Sequence, residues 1–450
     1  MPISPAREAA LFILQRVDAG RGFAVELLQS PRISGLSDAD RRLTTALVMG
    51  VLRWRGDLDF QIENLSSKPM SYFDSEVVAI LRLGIYQLRH LENVPAHAAV
   101  HESVEMVKIA RKRSAAGLVN AVLRKCKRLP LKSAEDGEYL EISRRSVPGW
   151  MRERWRQNFG GAATDSIVLA SQSVPHTCLR LTGSAASRED LQRELRDDGV
   201  DTEPGTVARR ALWVTSGNVL SSTAWREGRV VIQDEASQRV AELVSPLPGQ
   251  TVLDLCAAPG IKAGQIADDL RAGTYVACDR SQRRLRTMEC LLRAQWPADV
   301  RRYAVIADAA EPLPFALRFD RVLVDAPCSG TGTLSRNPEI KWRLRREDIL
   351  RLAAAQCRML QNGLTALTPG GRLVYATCSL EPEENEHVVA KAVASCPGYR
   401  QLRRGELRLP APRIAPADMP DELFDDAGSF RTRPGMQQLD GFFAAVLVRV

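Results

Sequence analysis

The sequence predicts a multidomain protein with an all-α N-terminal region and an α/β C-terminal domain built on a mostly parallel sheet. Two observations predict this architecture. Apolar residues recur with helical spacing from residue 1 to about 130, whereas short apolar strands alternate with helices from about residue 235 to the end. A length of 450 residues also suits two or three domains.

The N-terminal region is predicted to be a bundle of amphipathic helices. Ser4 and Pro5 suit the start of a helix whose apolar face continues to Val17. Ser75 precedes a second apolar face, and a third surrounds Val119. Periodicity alone leaves two interpretations open: the bundle is a scaffold or dimer contact, or it binds RNA.

The middle of the chain is predicted to hold a linker and a small α+β subdomain. Residues 130–137 are rich in turn-forming and polar side chains, which is typical of a linker. Short apolar strands near residues 178–182 and 211–215 then flank a polar helix near residues 187–198.

The C-terminal domain begins with a strand that runs into a loop of small residues, Asp254-Leu-Cys-Ala-Ala-Pro-Gly260, and then a helix. Such a loop lets the backbone approach a ligand and directs helix N–H groups at it. The next strand ends in Asp279, where an acid can accept hydrogen bonds from ribose hydroxyls, and a third strand ends in Asp308. The loop lacks G-x-G-x-x-G and a Walker lysine, so S-adenosylmethionine suits it better than a dinucleotide or a triphosphate.

Two further strands are predicted. One ends in a carboxylate that is soon followed by a thiol, and the other leads directly into a second thiol. Asp325-Ala-Pro-Cys328 closes one apolar run, and Thr377-Cys378-Ser379 closes another. If these strands are parallel neighbours, their carboxyl ends lie about 5 Å apart, at the edge where α/β sheets bind ligands. Two thiols and a carboxylate in one crevice suit covalent chemistry on an electrophilic ring.

These motifs resemble those of the NOL1/NOP2/Sun family, whose members methylate carbon-5 of cytosine in RNA. The resemblance is carried by residues 254–260, 325–332 and 376–379, the last followed by Glu383-Glu-Asn385. Other segments resemble the segment that enters the catalytic domain and the NusB-like domain that precedes it in one bacterial branch; they are residues 233–238, 40–43, 50–53, 73–88, 94–100 and 117–124.

The resemblance implies three domains. They are a NusB-like helical RNA-binding domain over residues 1–132, a linker with a small α+β RNA-binding subdomain over residues 133–235, and a Rossmann-like S-adenosylmethionine-dependent methyltransferase domain over residues 236–450. The last domain is expected to have a seven-stranded, mostly parallel sheet whose final strand enters antiparallel.

The resemblance also implies the roles of the site residues. Cys378 is expected to add to carbon-6 of the cytosine, Cys328 to resolve the adduct, and Asp325 to hydrogen-bond the ring. DNA cytosine methyltransferases use the Pro-Cys cysteine as nucleophile instead, so the assignment between the two thiols stays open. Lys262 is expected to contact either Asp325 or the cofactor's carboxylate. The residues expected to bind the cofactor are Cys256, Ala257, Ala258, Pro259, Gly260, Ile261, Lys262, Asp279, Asp308 and Asp325.

One departure from the family pattern bears on cofactor affinity. The family's loop continues Pro-Gly-Gly-Lys followed by Thr or Ser, whereas this chain reads Pro259-Gly-Ile-Lys-Ala263. If the second glycine needs a positive φ, Ile261 is strained there. The missing hydroxyl at Ala263 would cost the start of the helix about 1 kcal/mol. We therefore expect weakened cofactor binding.

Composition favours a nucleic-acid partner. Lys and Arg number 62 against 54 acidic residues, for a formal net charge of +8, and Arg-rich runs at residues 111–113 and 124–128 suit phosphate contacts. The nine cysteines are scattered, which favours a reduced, cytoplasmic protein. No zinc-type cluster and no run of about 20 apolar residues is present in the sequence, so we expect neither a metal nor a membrane span.

The expected function is methylation of a cytosine in 16S ribosomal RNA, by resemblance cytosine 967. The substrate is expected to be free or partly assembled small-subunit RNA, and the enzyme a monomer. Two alternatives remain open: the same chemistry on transfer RNA or another rRNA cytosine, and a non-catalytic RNA-binding factor.

Overall fold

The computed structural model describes residues 3–126, 136–184, 187–293, 296–407, 421–436 and 438–450. Most of the predicted linker and residues 127–128 of the second Arg-rich run lie outside the described residues. The chain divides into two compact units, Met1–Val174 with Leu334–Arg343, and Pro175–Thr333 with Leu344–Val450. Each unit is described by itself.

The helices and strands follow one another along the chain in two blocks, helical first and mixed afterwards. The described helices are α1 (Pro5–Asp18), α2 (Ala24–Leu28), α3 (Pro31–Ser34), α4 (Asp38–Ser66), α5 (Ser75–His90), α6 (Ala96–Ile109), α7 (Ala116–Lys125), α8 (Asp136–Arg145), α9 (Gly149–Phe159), α10 (Gly161–Gln172), α11 (Arg188–Asp197), α12 (Thr223–Arg226), α13 (Glu235–Val244), α14 (Ile261–Leu270), α15 (Gln282–Leu292), α16 (Ile340–Arg343), α17 (Arg346–Thr365) and α18 (Glu386–Ser395). The described strands are β1 (Cys178–Leu181), β2 (Asp201–Pro204), β3 (Ala211–Ser216), β4 (Val230–Ile232), β5 (Thr251–Asp254), β6 (Gly273–Asp279), β7 (Val300–Ile306), β8 (Phe319–Asp325), β9 (Leu367–Thr377), β10 (Tyr399–Gln401), β11 (Phe430–Arg431) and β12 (Phe443–Arg449).

The first unit is a helical bundle around the long helix α4, which packs against α1 and α5. The predicted apolar face of α1 is buried, from Ala6 to Val17. At Gly50 of α4, an added Cβ would lie 1.9 Å from the ring of Tyr86 on α5, so only glycine allows this close helix crossing. The all-α prediction for this region is confirmed within the described residues.

A segment from far along the chain, Leu334–Arg343, is also part of the first unit. The Nζ atom of Lys341 donates a hydrogen bond to the carbonyl of Arg53 at 2.8 Å, and the indole of Trp342 donates to the carbonyl of Leu52 at 2.9 Å. Burial lowers the pKa of Lys341 well below its ordinary value. No sequence pattern predicted this insertion.

The second unit contains two sheets. The smaller is antiparallel, in the order β2-β3-β1-β4, and confirms the predicted α+β subdomain. Arg180 of β1 is buried; its guanidinium donates to Gln233 at 2.7 Å and to Asp268 of α14 at 3.2 Å. The carboxylate of Glu235 accepts from the indole of Trp213 at 2.8 Å. These buried polar contacts fix the segment that leads into the larger sheet.

The larger sheet has the order β10-β12-β9-β8-β5-β6-β7, with β11 pairing with β12. Strands β5 to β9 are parallel neighbours, and β12 enters antiparallel beside β9. The mostly parallel sheet and its antiparallel last strand are therefore confirmed. The predicted number of seven strands is wrong, because the described residues form eight: the short strands β10 and β11 both pair with β12. The carboxyl ends of β5, β6, β8 and β9 meet at one edge, where ligands of such sheets bind.

Candidate active site

The two predicted thiol motifs lie side by side. Strands β8 and β9 pair in parallel, with Asp325 opposite Ala376 at their carboxyl ends. The loops that follow bring the Sγ atoms of Cys328 and Cys378 to within 3.4 Å of each other. The amide of Gly332 donates to the carbonyl of Cys378 at 2.9 Å, which fastens one loop to the other.

The carboxylate of Asp325 is paired with a lysine from the helix that follows the small-residue loop. Lys262, the second residue of α14, donates from Nζ to Oδ2 of Asp325 at 2.8 Å. Burial opposes the charge on Lys262, but the charge and hydrogen bond of Asp325 outweigh it and raise the pKa of the lysine. Of the two partners that the sequence left open for Lys262, the structure shows Asp325.

The two thiols differ in their surroundings. The hydrogen bond with Cys378, followed by burial and the charge of Glu384, raises the pKa of the Cys328 thiol well above its ordinary value. This environment disfavours ionisation of the Cys328 thiol in the free protein.

The small-residue loop leads directly into helix α14. Gly260 has φ +102° and forms the N-cap of α14, and a Cβ there would lie 2.4 Å from Met288. Ile261 is the first residue of the helix and lies outside the positive-φ region, so the expected strain at Ile261 is wrong. Ala263 is the buried third residue of the helix and not its cap, so the expected loss of a capping hydroxyl is also wrong.

The rest of the loop lies at the carboxyl ends of β5 and β6. The amide of Ala257 donates to the backbone carbonyl of Cys278 at 2.8 Å, and the carbonyl of Ala258 accepts from the guanidinium of Arg284. Pro259 is exposed. Burial and the charge of Asp254 raise the pKa of Cys256 well above its ordinary value, which makes it a poor nucleophile.

Asp254 is a buried carboxylate that is only half satisfied. Its Oδ2 accepts from the hydroxyl of Tyr275 at 2.7 Å, while its Oδ1 has no hydrogen-bond partner among the described residues. Burial raises the pKa of Asp254 to about 7, partly offset by the Tyr275 hydrogen bond. Sequence reasoning treated Asp254 only as the end of a strand and assigned it no role.

Asp279 and Asp308 end up in different environments. Asp279, at the end of β6, is buried; its carboxylate accepts from the amide of Ser281 at 2.8 Å and from Arg284 at 3.2 Å. Asp308 lies two residues beyond β7, is exposed, and accepts from the amide of Ala310 at 2.9 Å. Asp279 ends β6 and Asp308 follows β7, so both carboxylates lie at the edge of the sheet where β5 ends in Asp254.

A further acidic residue lies behind the two thiol loops and was not assigned a role from the sequence. Glu384 is buried and accepts hydrogen bonds from Ser329 and Ser379, the residues that follow Cys328 and Cys378. The motif Glu383-Glu-Asn385 was the signal that could have found it.

Two other kinds of feature are absent from the described part of the chain. No group of three or more His, Cys, Asp and Glu side chains within it could hold a metal ion. No helix among the described residues is long and apolar enough to cross a membrane.

Comparisons with known proteins cover nearly the whole chain. Three family profiles match it: the NusB family over residues 4–128, the ferredoxin-like domain of RsmF/B-like methyltransferases over residues 147–219, and the 16S rRNA methyltransferase RsmB/F family over residues 241–448.

Named relatives extend over the full length. The chain is 31% identical over 448 residues to a probable ribosomal RNA small subunit methyltransferase B of Bacillus subtilis (strain 168), covering 98% of each protein. It is 32% identical over 456 residues to the ribosomal RNA small subunit methyltransferase B of Cronobacter sakazakii, covering 98% of this chain and 97% of that one. Its fold is similar to the crystal structure of PH0851, with a TM-score of 0.77, 23% identity and full coverage of both chains.

Proposed function

The chain belongs to the ribosomal RNA small subunit methyltransferase B family, and we propose that it methylates carbon-5 of a cytosine in 16S ribosomal RNA. The observation that carries the proposal is the pair of thiols, 3.4 Å apart, beside the paired carboxylate of Asp325. Cytosine carbon-5 is too weak a nucleophile to take a methyl group unaided, and a thiolate that adds to carbon-6 activates it.

Each residue has a distinct task in this proposal. Cys378 forms a bond from Sγ to carbon-6, and the proton that its thiol gives up goes to the ring nitrogen. The carboxylate of Asp325, oriented by Lys262, accepts hydrogen bonds from that N–H and from the amino group. Carbon-5 then takes the methyl group. Sγ of Cys328 lies 3.4 Å from Sγ of Cys378, and in this proposal the Cys328 thiol gives up its proton to solvent at that stage. Its thiolate accepts the carbon-5 proton, and the bond between Sγ of Cys378 and carbon-6 breaks.

The chemistry of the loop fits S-adenosylmethionine, which would supply an electrophilic methyl group. Oδ1 of Asp254 is a buried acceptor at the cofactor edge with no hydrogen-bond partner in the described part of the chain, and it suits a cationic donor. The first amides of α14 begin at Ile261 and suit a carboxylate. Asp279 would accept hydrogen bonds from the ribose hydroxyls and Asp308 from the adenine amino group. Cys256 to Gly260 would line the cofactor with backbone and small side chains.

The helical first unit is proposed to bind the RNA. It carries exposed Arg111, Arg113 and Arg124, and it matches the NusB family profile. Cytosine 967 is the proposed target. We propose that the protein acts in the cytoplasm, where the thiols that this chemistry needs stay reduced. It would act there as a monomer on free or partly assembled small-subunit RNA.

Transfer of a labelled methyl group to a 16S rRNA transcript tests the proposal. The expected product is one 5-methylcytosine, which bisulfite sequencing should locate in the methylated transcript and should find missing at the same position in rRNA from a deletion strain. Methylation of transfer RNA or of another rRNA cytosine would instead support the first alternative. If calorimetric titration with S-adenosylmethionine detects no binding, the protein is a non-catalytic RNA-binding factor.

A further inference from the structure

Glu384 lies behind the two catalytic loops, in the short turn Pro382–Glu384 between β9 and α18. Its side chain is fully buried. The carboxylate accepts from the amide of Ser329 at 2.9 Å, from the hydroxyl of Ser379 at 2.5 Å, and from the hydroxyl of Ser329. A fourth hydrogen bond comes from Nε2 of Gln356 on α17 at 2.9 Å.

These hydrogen bonds reach both thiol loops at once. Ser329 follows Cys328, and Ser379 follows Cys378, so one carboxylate holds the residue next to each thiol. The other side of Cys328 is held as well, because Nε2 of Gln356 also donates to the carbonyl of Pro327 at 2.9 Å.

Asn385 completes the arrangement around Cys378. Its Oδ1 accepts from the hydroxyl of Thr377 at 2.5 Å, and its Nδ2 donates to the carbonyl of Ser379 at 2.9 Å. Both neighbours of Cys378 are therefore hydrogen-bonded to the turn that carries Glu384. Buried and satisfied networks of this kind hold loops in one arrangement.

We propose that Glu384 is a positioning residue that sets the separation and orientation of the two thiols through Ser329 and Ser379. The inference deepens the proposed function and rests on it for its catalytic meaning. Catalytic groups must be held closely, because a shift of about 1 Å can cost about 100-fold in rate.

The position is suited to a test by near-isosteric substitution. In Glu384→Gln, the amide oxygen can keep the two N–H donors, and the amide nitrogen can face the two serine hydroxyls, which can rotate to accept. Glu384→Ala removes all four hydrogen bonds. Glu383→Gln makes the same chemical change one residue earlier and serves as the matched control.

Phenylarsine oxide measures thiol geometry without catalysis. It reacts with two neighbouring thiols to form two As–S bonds and releases one water, with no change in oxidation state. In the full-length wild type, one equivalent should protect Cys328 and Cys378 together from alkylation, as mapped by peptide mass spectrometry. Glu384→Gln and Glu383→Gln should behave like the wild type. Glu384→Ala should need at least tenfold more reagent.

Kinetics supply the second readout. Glu384→Ala should lower kcat for methyl transfer by about 10- to 100-fold, with KM for the RNA and for S-adenosylmethionine unchanged, and Glu384→Gln should restore most of kcat. If Glu384→Ala does not fold, Ser379→Ala, which removes one of the four hydrogen bonds, should show a smaller change of the same kind.

The outcomes separate this inference from the proposed function. Unchanged arsenical protection in Glu384→Ala, or in Ser379→Ala if the former does not fold, overturns the positioning role. Equal loss of kcat in the Gln and Ala variants does so too, because it assigns the effect to the charge. If the wild type binds the arsenical but methylates no cytosine, the proposed function fails while the positioning of the thiols by Glu384 stands.

Discussion

Nζ of Lys262 donates to Oδ2 of Asp325 at 2.8 Å, and this bond joins the first turn of α14 to the strand that leads to Cys328. Lys262 is the second residue of α14, whereas Asp325 ends β8. The side chains are 14% and 29% exposed, so neither charge is well solvated without the other. The pair thus holds one charged group of each motif at the same edge of the sheet.

We expect Lys262→Met to lower the free energy of unfolding by about 1–3 kcal/mol, because Asp325 is left partly buried and unpaired. Methyl transfer should fall at least tenfold. Adding Asp325→Asn should not add a second full loss of stability, since the unpaired charge is then gone. Chemical denaturation of Lys262→Met, of Asp325→Asn and of the double variant measures this coupling. Lys108→Met breaks a surface ion pair with Glu105, so it is the control and should change the free energy of unfolding little. If the losses of stability in the two single variants add up to the loss in the double variant, Lys262 and Asp325 are not coupled.

Cofactor affinity should depend on pH through Asp254. Its pKa of about 7 means that the free site loses its carboxylate charge as the pH falls below 7. A cationic ligand binds the charged form, so the apparent Kd should be about tenfold higher at pH 6 than at pH 8. Calorimetric titration with S-adenosylmethionine across this range measures it.

Tyr275→Phe tests the cause of that dependence. The hydroxyl of Tyr275 lowers the pKa of Asp254, so its removal should move the midpoint to higher pH. Tyr303→Phe removes an exposed hydroxyl from the same sheet and should leave the midpoint unchanged. A Kd that is independent of pH in the wild type would mean that Asp254 does not face the ligand.

Ile261→Gly should not improve cofactor binding, because the structure has no strain there to release. Ile261 starts α14 with its side chain 39% exposed, and the positive φ belongs to Gly260. Glycine in the helix should instead lower the free energy of unfolding by about 0.5–1 kcal/mol. Ile261→Ala keeps helix propensity and is the control. A clear fall in the Kd for S-adenosylmethionine in the glycine variant alone would restore the strain argument.

Sequence reasoning succeeded where the signal was local. The strand that ends at Asp325 and the one that ends at Thr377 are apolar runs closed by turn residues, so their pairing and the meeting of their thiols could be predicted. The prediction of strain at Ile261 failed because the motif comparison assigned a positive φ to the second glycine position of the family loop. In this chain the positive φ belongs to Gly260. The insertion of Lys341 into the helical unit depends on the distant carbonyl of Arg53, and no periodicity encodes such an interaction.

RNA affinity should depend on salt through the basic residues of the helical unit. Arg124 and Lys125 are exposed at the end of α7. Replacing both by Ala should weaken binding and reduce the slope of log affinity against log salt by about 1 for each RNA phosphate that the variant no longer neutralises. Replacing Arg32 and Arg41, which are paired with acidic neighbours in the same unit, is the matched control. An unchanged slope in the first variant would exclude this end of α7 from the RNA site.

The two thiols should divide the reaction between them. Cys378→Ala cannot form the bond to carbon-6, so it should neither methylate RNA nor accumulate a covalent complex. Cys328→Ala should still add to the ring and accept the methyl group but resolve slowly, because the thiolate that takes the carbon-5 proton is missing. It should therefore trap RNA as a band that survives denaturing electrophoresis, since a block after bond formation leaves the bond in place. Replacing the exposed Cys290 by Ala is the control and should behave like the wild type. Trapping by Cys378→Ala instead would exchange the two roles, and full turnover by both variants would refute the two-cysteine mechanism for this protein.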